Sequence, residues 1–365
     1  MTLISDLPWD LVEEILSRTS ITSLRAIGST CKRWNTLSKD ESLRKKHCGK
    51  ATKEFLMNMT CDYNYEYESD LVSPTRFNLQ NIKDLPSSLK KIGNNNMLCP
   101  VQILSVYSCD GLLLLVTADN LGLDQLVVWN PYLGQTRWIE TKILQYDRYA
   151  IGQYAIGYDN KKNHKVLKVF SWSDIKPQIY DLNSNSWRVL GITCECYSSL
   201  EKGRGASLKG NTYFVAENEE KIFCFDFTTE RFGPCLHLPF DFDGTDVTLS
   251  CVREEQLAVF AHSCRTGTYK MEIWITTKID PNAVSWSKFF KVEVEIDGYY
   301  NLFLYQFEVQ SFFIDKEKKI AVVSGINDCD ILGYDKSIVV GKDGYFEKTN
   351  LGYVFSYVPS WVQIQ

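Results

Sequence analysis

The sequence is poor in the residues on which most catalytic chemistry is built. It holds only four histidines, His47, His164, His237 and His262, and none of its twelve cysteines forms a CxxC pair. His262-Ser263-Cys264 and Cys194-Glu195-Cys196 each offer two ligands, whereas a structural zinc site needs four at workable spacing. No metal or cofactor is therefore expected, and the cysteines read as small apolar groups packed in strands. Their scatter through a chain of this length fits a reduced compartment better than a disulfide framework. GxSxG, GxGxxG, HExxH and a phosphate loop ending in GK[ST] are all missing, and with them the common hydrolase, dinucleotide, metalloprotease and nucleotide sites. Long hydrophobic runs are missing too. The longest aliphatic stretch, Leu112–Val116, falls far short of the ~20 residues that cross a bilayer. Met1–Asp6 has neither a basic start nor an apolar stretch, so no secretory signal is expected, and a cytoplasmic or nuclear protein is.

What the 365 residues do have is apolar and aromatic substance: 44% are hydrophobic and 13% aromatic, enough for a substantial core without disulfides or metals. The net charge of −5 argues against general nucleic-acid binding. Its distribution is uneven. Arg25, Lys32, Arg33, Lys39, Arg44, Lys45, Lys46 and Lys50 face only Asp40 and Glu41 within residues 21–50. Such a local surplus suits an acidic protein partner, although a solvated helical face explains the charge equally well. Arg44-Lys45-Lys46 is too short to read as a nuclear signal. Asp241-Phe242-Asp243-Gly244-Thr245-Asp246 resembles a calcium loop only superficially, because Asp246 and Val252 stand where an EF-hand has Gly and Glu. A turn is expected there.

Two periodicities divide the chain. Up to about residue 45 it reads as helix. Leu7-Pro8 opens the first helix after a cap at Ser5 or Asp6. Leu7, Leu11 and Ile15 recur at i, i+4 and i+8, with Val12 and Leu16 beside them. A second short helix carries Ile21, Leu24 and Ile27, and a third follows Cys31 with Trp34 and Leu37. Three helices this short cannot bury so many large apolar groups among themselves, so part of that surface needs a partner.

Beyond residue 51 the helical period vanishes. Short runs rich in Val, Ile, Phe, Tyr and Trp alternate with turns at Asn130-Pro131, Tyr158-Asp159-Asn160, Lys209-Gly210-Asn211 and Lys342-Asp343-Gly344. Aromatic pairs bracket polar turns: Trp129 and Trp138, Tyr180 and Trp187, Phe225 and Phe232 and, more loosely, Trp274 and Trp286. Their first members lie 51, 45 and 49 residues apart. Another hydrophobic run precedes each pair, at 111–116, 166–170, 212–215 and 257–260, and a further unit spans 312–323. Four short strands at this spacing is the length of a propeller blade. Five or six blades are expected over 46–365, with the first unit, 51–100, weakly marked and the segment 54–82 supplying a blade or the closing strands. Neither the glycine doublet of kelch repeats nor the Trp-Asp of WD repeats recurs. Tyr146–Tyr154 and Asp241–Thr248 read as loops.

Asp6-Leu7-Pro8-Trp9-Asp10-Leu11-Val12-Glu13-Glu14-Ile15-Leu16-Ser17-Arg18, Ser23-Leu24 and Cys31-Lys32-Arg33-Trp34-Asn35 together resemble the F-box, the helical module that docks substrate receptors on the Skp-family adaptor of cullin–RING ubiquitin ligases. Thr19-Ser20 departs from it, standing where the family often has a proline-containing turn. The remainder is similar to the F-box-associated domain (type 1, kelch- or propeller-like) of flowering-plant F-box proteins. The similarity rests on Ser108–Leu113, Val128–Ile139, Tyr154–Asp159, Val166–Val169 and Tyr357–Val362.

The resemblance implies a three-helix, all-α F-box over 1–45 and an all-β propeller-like domain over 46–365. It implies a non-catalytic substrate-recognition subunit of an SCF (Skp–cullin–F-box) ligase. The adaptor contacts it implies are Leu7, Pro8, Leu11, Ile15, Leu16, Leu24, Cys31 and Trp34, of which Leu11, Ile15 and Leu24 also have an internal packing role. Pro8 and Trp34 are the better contacts. The implied partners are the adaptor, through it the cullin–RING core, and an unidentified substrate protein, with neither nucleic acid nor membrane. Two other readings stand beside it: a β domain that senses a glycan or small ligand in a concave pocket, and a propeller enzyme with paired carboxylates near its axis.

Overall fold

The structure is a computed structural model. It describes residues 8–17 and 36, the backbone of 55–60, 73–77 and 90–91, and residues 102–364 apart from 119–123, 142–151, 171–174, 193–204, 217–220, 241–245, 266–267, 296–306, 328–335, 343, 345 and 350–352.

From residue 102 the chain folds as consecutive four-stranded antiparallel meanders. Blade 1 is built from Gln102–Cys109, Leu112–Ala118, Asp124–Asn130 and Gln135–Ile139, and blade 2 from Gly152–Tyr158, His164–Phe170, Gln178–Asp181 and Ser186–Val189. Blade 3 uses Ala206–Leu208, Asn211–Val215, Lys221–Asp226 and Arg231–His237, and blade 4 Asp246–Val252, Gln256–Arg265, Thr268–Asp280 and Ala283–Glu295. Blade 5 uses Phe307–Asp315, Ile320–Asn327, Lys336–Gly341 and Phe346–Thr349. A sixth sheet is composite: Tyr353–Tyr357 pairs antiparallel with Phe55–Thr60, followed by Ser73–Phe77 and Lys90–Lys91. The open count thus resolves into five continuous blades and one closing sheet. The segment 54–82 supplies two strands of that sheet. The first strands of neighbouring blades touch in succession, and Tyr353–Tyr357 lies between those of blades 5 and 1, so the ring is closed.

The core lies between the blades, and the alternation of strand side chains puts it there. Leu112, Leu114, Val116, Leu126 and Val128 of blade 1 meet Tyr154, Ile156, Val166 and Tyr180 of blade 2. The opposite face of blade 2, with Ala155, Leu167, Val169 and Ile179, meets Phe214, Phe223, Phe225 and Phe227 of blade 3. The same alternation packs blade 3 on blade 4 and blade 4 on blade 5. Each inner strand is covered on both faces. His164–Phe170 is accordingly buried at all seven positions, which explains why the sequence shows apolar runs where a one-sided sheet would alternate. Outer strands are open, as in Ser186–Val189.

The turns repeat more faithfully than the aromatics. The third-to-fourth-strand turns open on a side chain that caps backbone N–H groups: Asn130 Oδ1 accepts Leu133 N at 3.0 Å, Asp181 Oδ1 accepts Asn183 N at 2.8 Å and Asp226 Oδ1 accepts Thr228 N at 2.7 Å. Four residues on, Gly134, Asn185 and Glu230 take positive φ. Tyr180 stands directly opposite Trp187, and Phe225 opposite Phe232. Trp129 and Trp274 instead face Thr136 and Lys288, so half of the aromatic bracket is true cross-strand pairing. Trp187 Nε1 donates to the Glu140 carbonyl at 2.9 Å and Trp286 Nε1 to the His237 carbonyl at 3.0 Å. Each tie joins a blade's outer strand to the preceding blade.

Several expectations are corrected. Tyr154, placed in a loop by the sequence, is a buried residue of the first strand of blade 2, and Thr248 lies in the first strand of blade 4. The rest of those two segments, 146–151 and 241–245, lies outside the described residues apart from the strand residues 152–153 and 246–247. His262 is buried and bonded through Nδ1 to the Tyr269 hydroxyl at 3.0 Å. The expected second helix, the third apart from the exposed helical residue Thr36, and Arg44-Lys45-Lys46 and Cys194-Glu195-Cys196 lie outside the described residues.

Candidate functional site

One helix, Trp9–Ser17, precedes the β strands in the chain. Its start differs by two residues from the sequence reading. The Pro8 carbonyl accepts the N–H of Leu11 at 3.1 Å and of Val12 at 3.2 Å, so Pro8 occupies the capping position and the helix begins at Trp9. Proline serves there because the position needs a carbonyl and no N–H. Asp10 lies in the first turn, where its charge complements the helix dipole.

The helix carries two apolar stripes about 100° apart. Val12 and Leu16 form one and are each 2% exposed. Leu11 and Ile15 form the other and are 53% and 39% exposed, beside an exposed Pro8. Val12 and Leu16 are thus the buried pair, and Leu11 and Ile15 the open one. Leu16, counted among the contact residues, is an interior residue here, while Pro8, Leu11 and Ile15 share open surface. Leu7, Leu24, Cys31 and Trp34 lie outside the described residues. Among the described residues, five large hydrophobics are exposed, the others being Leu104, Trp138 and Val189. Two of the five thus sit one turn apart on a nine-residue helix. Covering the open half of a Leu and an Ile side chain is worth roughly 0.6–1.6 kcal/mol each, which makes this stripe a place where a partner gains.

A second cluster lies where the first turns of the blades meet at the axis. Asp110-Gly111, the first turn of blade 1, is held from several sides. His164 Nε2 and Lys162 Nζ of blade 2 approach Asp110 Oδ2 at 3.3 and 3.4 Å. Glu254, in the first turn of blade 4, accepts the Gly111 N–H at 3.2 Å. Burial pushes the Asp110 carboxyl up, but His164 and Lys162 outweigh it and its pKa is lowered. Burial, and then the Asp110 charge, push Glu254 up to about 7. Both carboxylates are engaged by the protein's own turns. Among the described residues no group of His, Cys, Asp and Glu is arranged to hold a metal ion.

Blades 2 and 3 are joined by a buried cation. Lys165 Nζ lies 3.3 Å from Asp159 and 3.0 Å from Glu230, which also pairs with Arg188. Burial opposes the Asp159 charge, yet the N–H groups of Asn163 and Lys161 hold its pKa down at about 2. These contacts assemble the ring and leave the helix stripe as the described surface with an unmet apolar demand. Sequence reasoning missed Glu254 and the meeting of turns. Ser108–Leu113, Val128–Ile139 and Tyr357–Val362 were visible as segments of resemblance, but their convergence was not.

Comparison with known proteins agrees with both parts. The F-box domain family matches residues 4–46, and the family described as F-box associated beta propeller domain matches residues 65–364. An F-box protein of Arabidopsis thaliana is 42% identical, with 100% of this chain and 94% of that protein aligned. A second is 41% identical over 100% of both chains. An F-box/kelch-repeat protein of the same plant is 40% identical over 100% of this chain and 97% of its own length.

Proposed function

We propose that this chain, which belongs to the family of F-box proteins carrying an F-box-associated β-propeller, is the substrate-recognition subunit of an SCF ubiquitin ligase. The observation that carries the reading is the open stripe of Pro8, Leu11 and Ile15 on a helix whose other apolar stripe is already buried. A Skp-family adaptor covers that stripe, with Leu7, Leu24, Cys31 and Trp34 completing the contact. The cationic stretch after Arg25 speeds encounter with an acidic adaptor surface. The propeller holds a substrate protein, and the chain does no bond chemistry of its own. Its contribution is proximity: it keeps a substrate lysine near a ubiquitin-charged conjugating enzyme, which makes an encounter between two molecules effectively intramolecular. On this reading the protein works in the cytoplasm or the nucleus.

Reconstitution tests it. Purified chain, Skp-family adaptor and cullin–RING core are mixed and passed over a sizing column. Co-elution of the chain with the cullin–RING core only when the adaptor is present supports the reading. Elution of the chain apart from the core with the adaptor present contradicts it.

A further inference from the structure

The ring has one seam that differs from the others. The strand Tyr353–Tyr357 closes the circle, and its contact with the first strand of blade 1 is the slightest of the junctions between neighbouring inner strands among the described residues. Its contact with blade 5 on the other side is extensive. The chain that follows the closing strand crosses this seam and bonds to blade 1 along its whole course. The Tyr357 hydroxyl donates to the Gly111 carbonyl at 3.3 Å, and the Ser360 hydroxyl donates to the Asp110 carbonyl. The fully buried Asn130 side chain donates through Nδ2 to the carbonyls of Ser360 at 3.2 Å and Val362 at 2.7 Å. The Ile364 N–H donates to Gln135 Oε1 at 3.0 Å. Trp361 stacks edge-on against Tyr132, and Val362 and Ile364 pack on the core between blades 1 and 2.

We propose that residues 358–364 form a clasp across the closing seam, so that the propeller opens between the closing sheet and blade 1 when the clasp is released. Asn130 is divided between two tasks. Its Oδ1 caps its own turn at Leu133 N, while its amide nitrogen is spent wholly on the clasp. Gly111 is shaped for the same purpose. Its φ is +71°, and a Cβ there would lie 2.5 Å from the Ser360 side chain. The closest approach of the clasp to blade 1 thus requires a residue without a side chain. The three segments that carried the sequence resemblance in this region, around Asp110, Asn130 and Ser360, are the three parts of the clasp. The inference is independent of adaptor binding.

Hydrogen exchange on the full chain tests it, with Ser360→Ala as the deciding variant. That change keeps the apolar contacts but leaves the Asp110 carbonyl and the Val362 N–H without the Ser360 hydroxyl. Exchange in Tyr353–Tyr357 and in residues 108–113 is expected to rise about tenfold, the factor carried by one or two buried hydrogen bonds. The outer strands of blade 3, Lys221–Asp226 and Arg231–His237, are expected to stay unchanged. Removal of residues 358–365 should enlarge the same local effect. No rise at the closing strand, or an equal rise in every blade, overturns the proposal.

Discussion

Glu254 shows how far a single residue can depart from its sequence surroundings. It stands in the charged run Arg253-Glu254-Glu255, yet burial and the neighbouring Asp110 push its carboxyl up to about 7. An unfolded chain releases this proton near pH 4.5, so the folded protein holds the extra proton between the two values. The stability it contributes is full below pH 4.5 and is lost as pH rises toward 7. His262 has the opposite sign. Burial lowers its pKa to about 4 although Asp246 pulls upward, so its contribution is full above pH 6.5 and is lost as pH falls toward 4. The two slopes oppose each other between pH 4.5 and 6.5, and above 6.5 Glu254 acts alone. The melting temperature of the wild type is therefore expected to fall from pH 6.5 to about pH 8. Glu254→Gln, which keeps an acceptor for the Gly111 N–H, is expected to flatten that fall. An unchanged slope in the variant would assign it to another group. None of this was legible in the sequence, because the partners that bury Glu254 come from a blade more than a hundred residues away.

At the scale of elements, the hairpin turns were readable and the depth of strands was not. Asn130-Pro131 and Lys209-Gly210-Asn211 lie at turns, where Asn130 supplies the cap and Gly134, Lys209 and Gly210 take the positive φ that the turns need. Gly152–Tyr154 misled because glutamine and tyrosine look solvent-facing, while in the ring a first strand is covered from both sides. Glycines mark where elements approach closest. A Cβ on Gly157, in the first strand of blade 2, would lie 2.3 Å from the Phe227 ring and 2.4 Å from the Gly210 carbonyl. Gly157→Ala is expected to cost about 1–3 kcal/mol by overpacking, read as a lower denaturant midpoint with an unchanged slope. A midpoint equal to that of the wild type would show that blades 2 and 3 yield freely at this contact. Glu230 offers a complementary test. Its loss in Glu230→Ala leaves the buried Lys165 ammonium with Asp159 as its remaining carboxylate. A destabilisation of about 2–4 kcal/mol is expected for a partly compensated buried charge, and Lys165→Met in the same background should restore most of it.

For the whole molecule, the division into a helical module and a propeller was legible because the period of the apolar residues changes once and a unit of 45–51 residues then recurs. The composite closing sheet was harder to see, since its strands lie at residues 55–91 and 353–357 and no local pattern joins them. The docking stripe was half legible. Periodicity named both apolar stripes of the helix, but only burial shows that Val12 and Leu16 turn inward while Leu11 and Ile15 stay open. That division yields the sharpest test of the account, the equilibrium affinity of the full chain for a Skp-family adaptor, measured for the wild type and for Leu11→Asp with Ile15→Asp. Burying two unpaired carboxylates in the contact should weaken binding at least ~100-fold. The melting temperature should stay near that of the wild type, because both side chains already face solvent. Wild-type affinity in the double variant, or no adaptor binding by the wild type, would contradict the account.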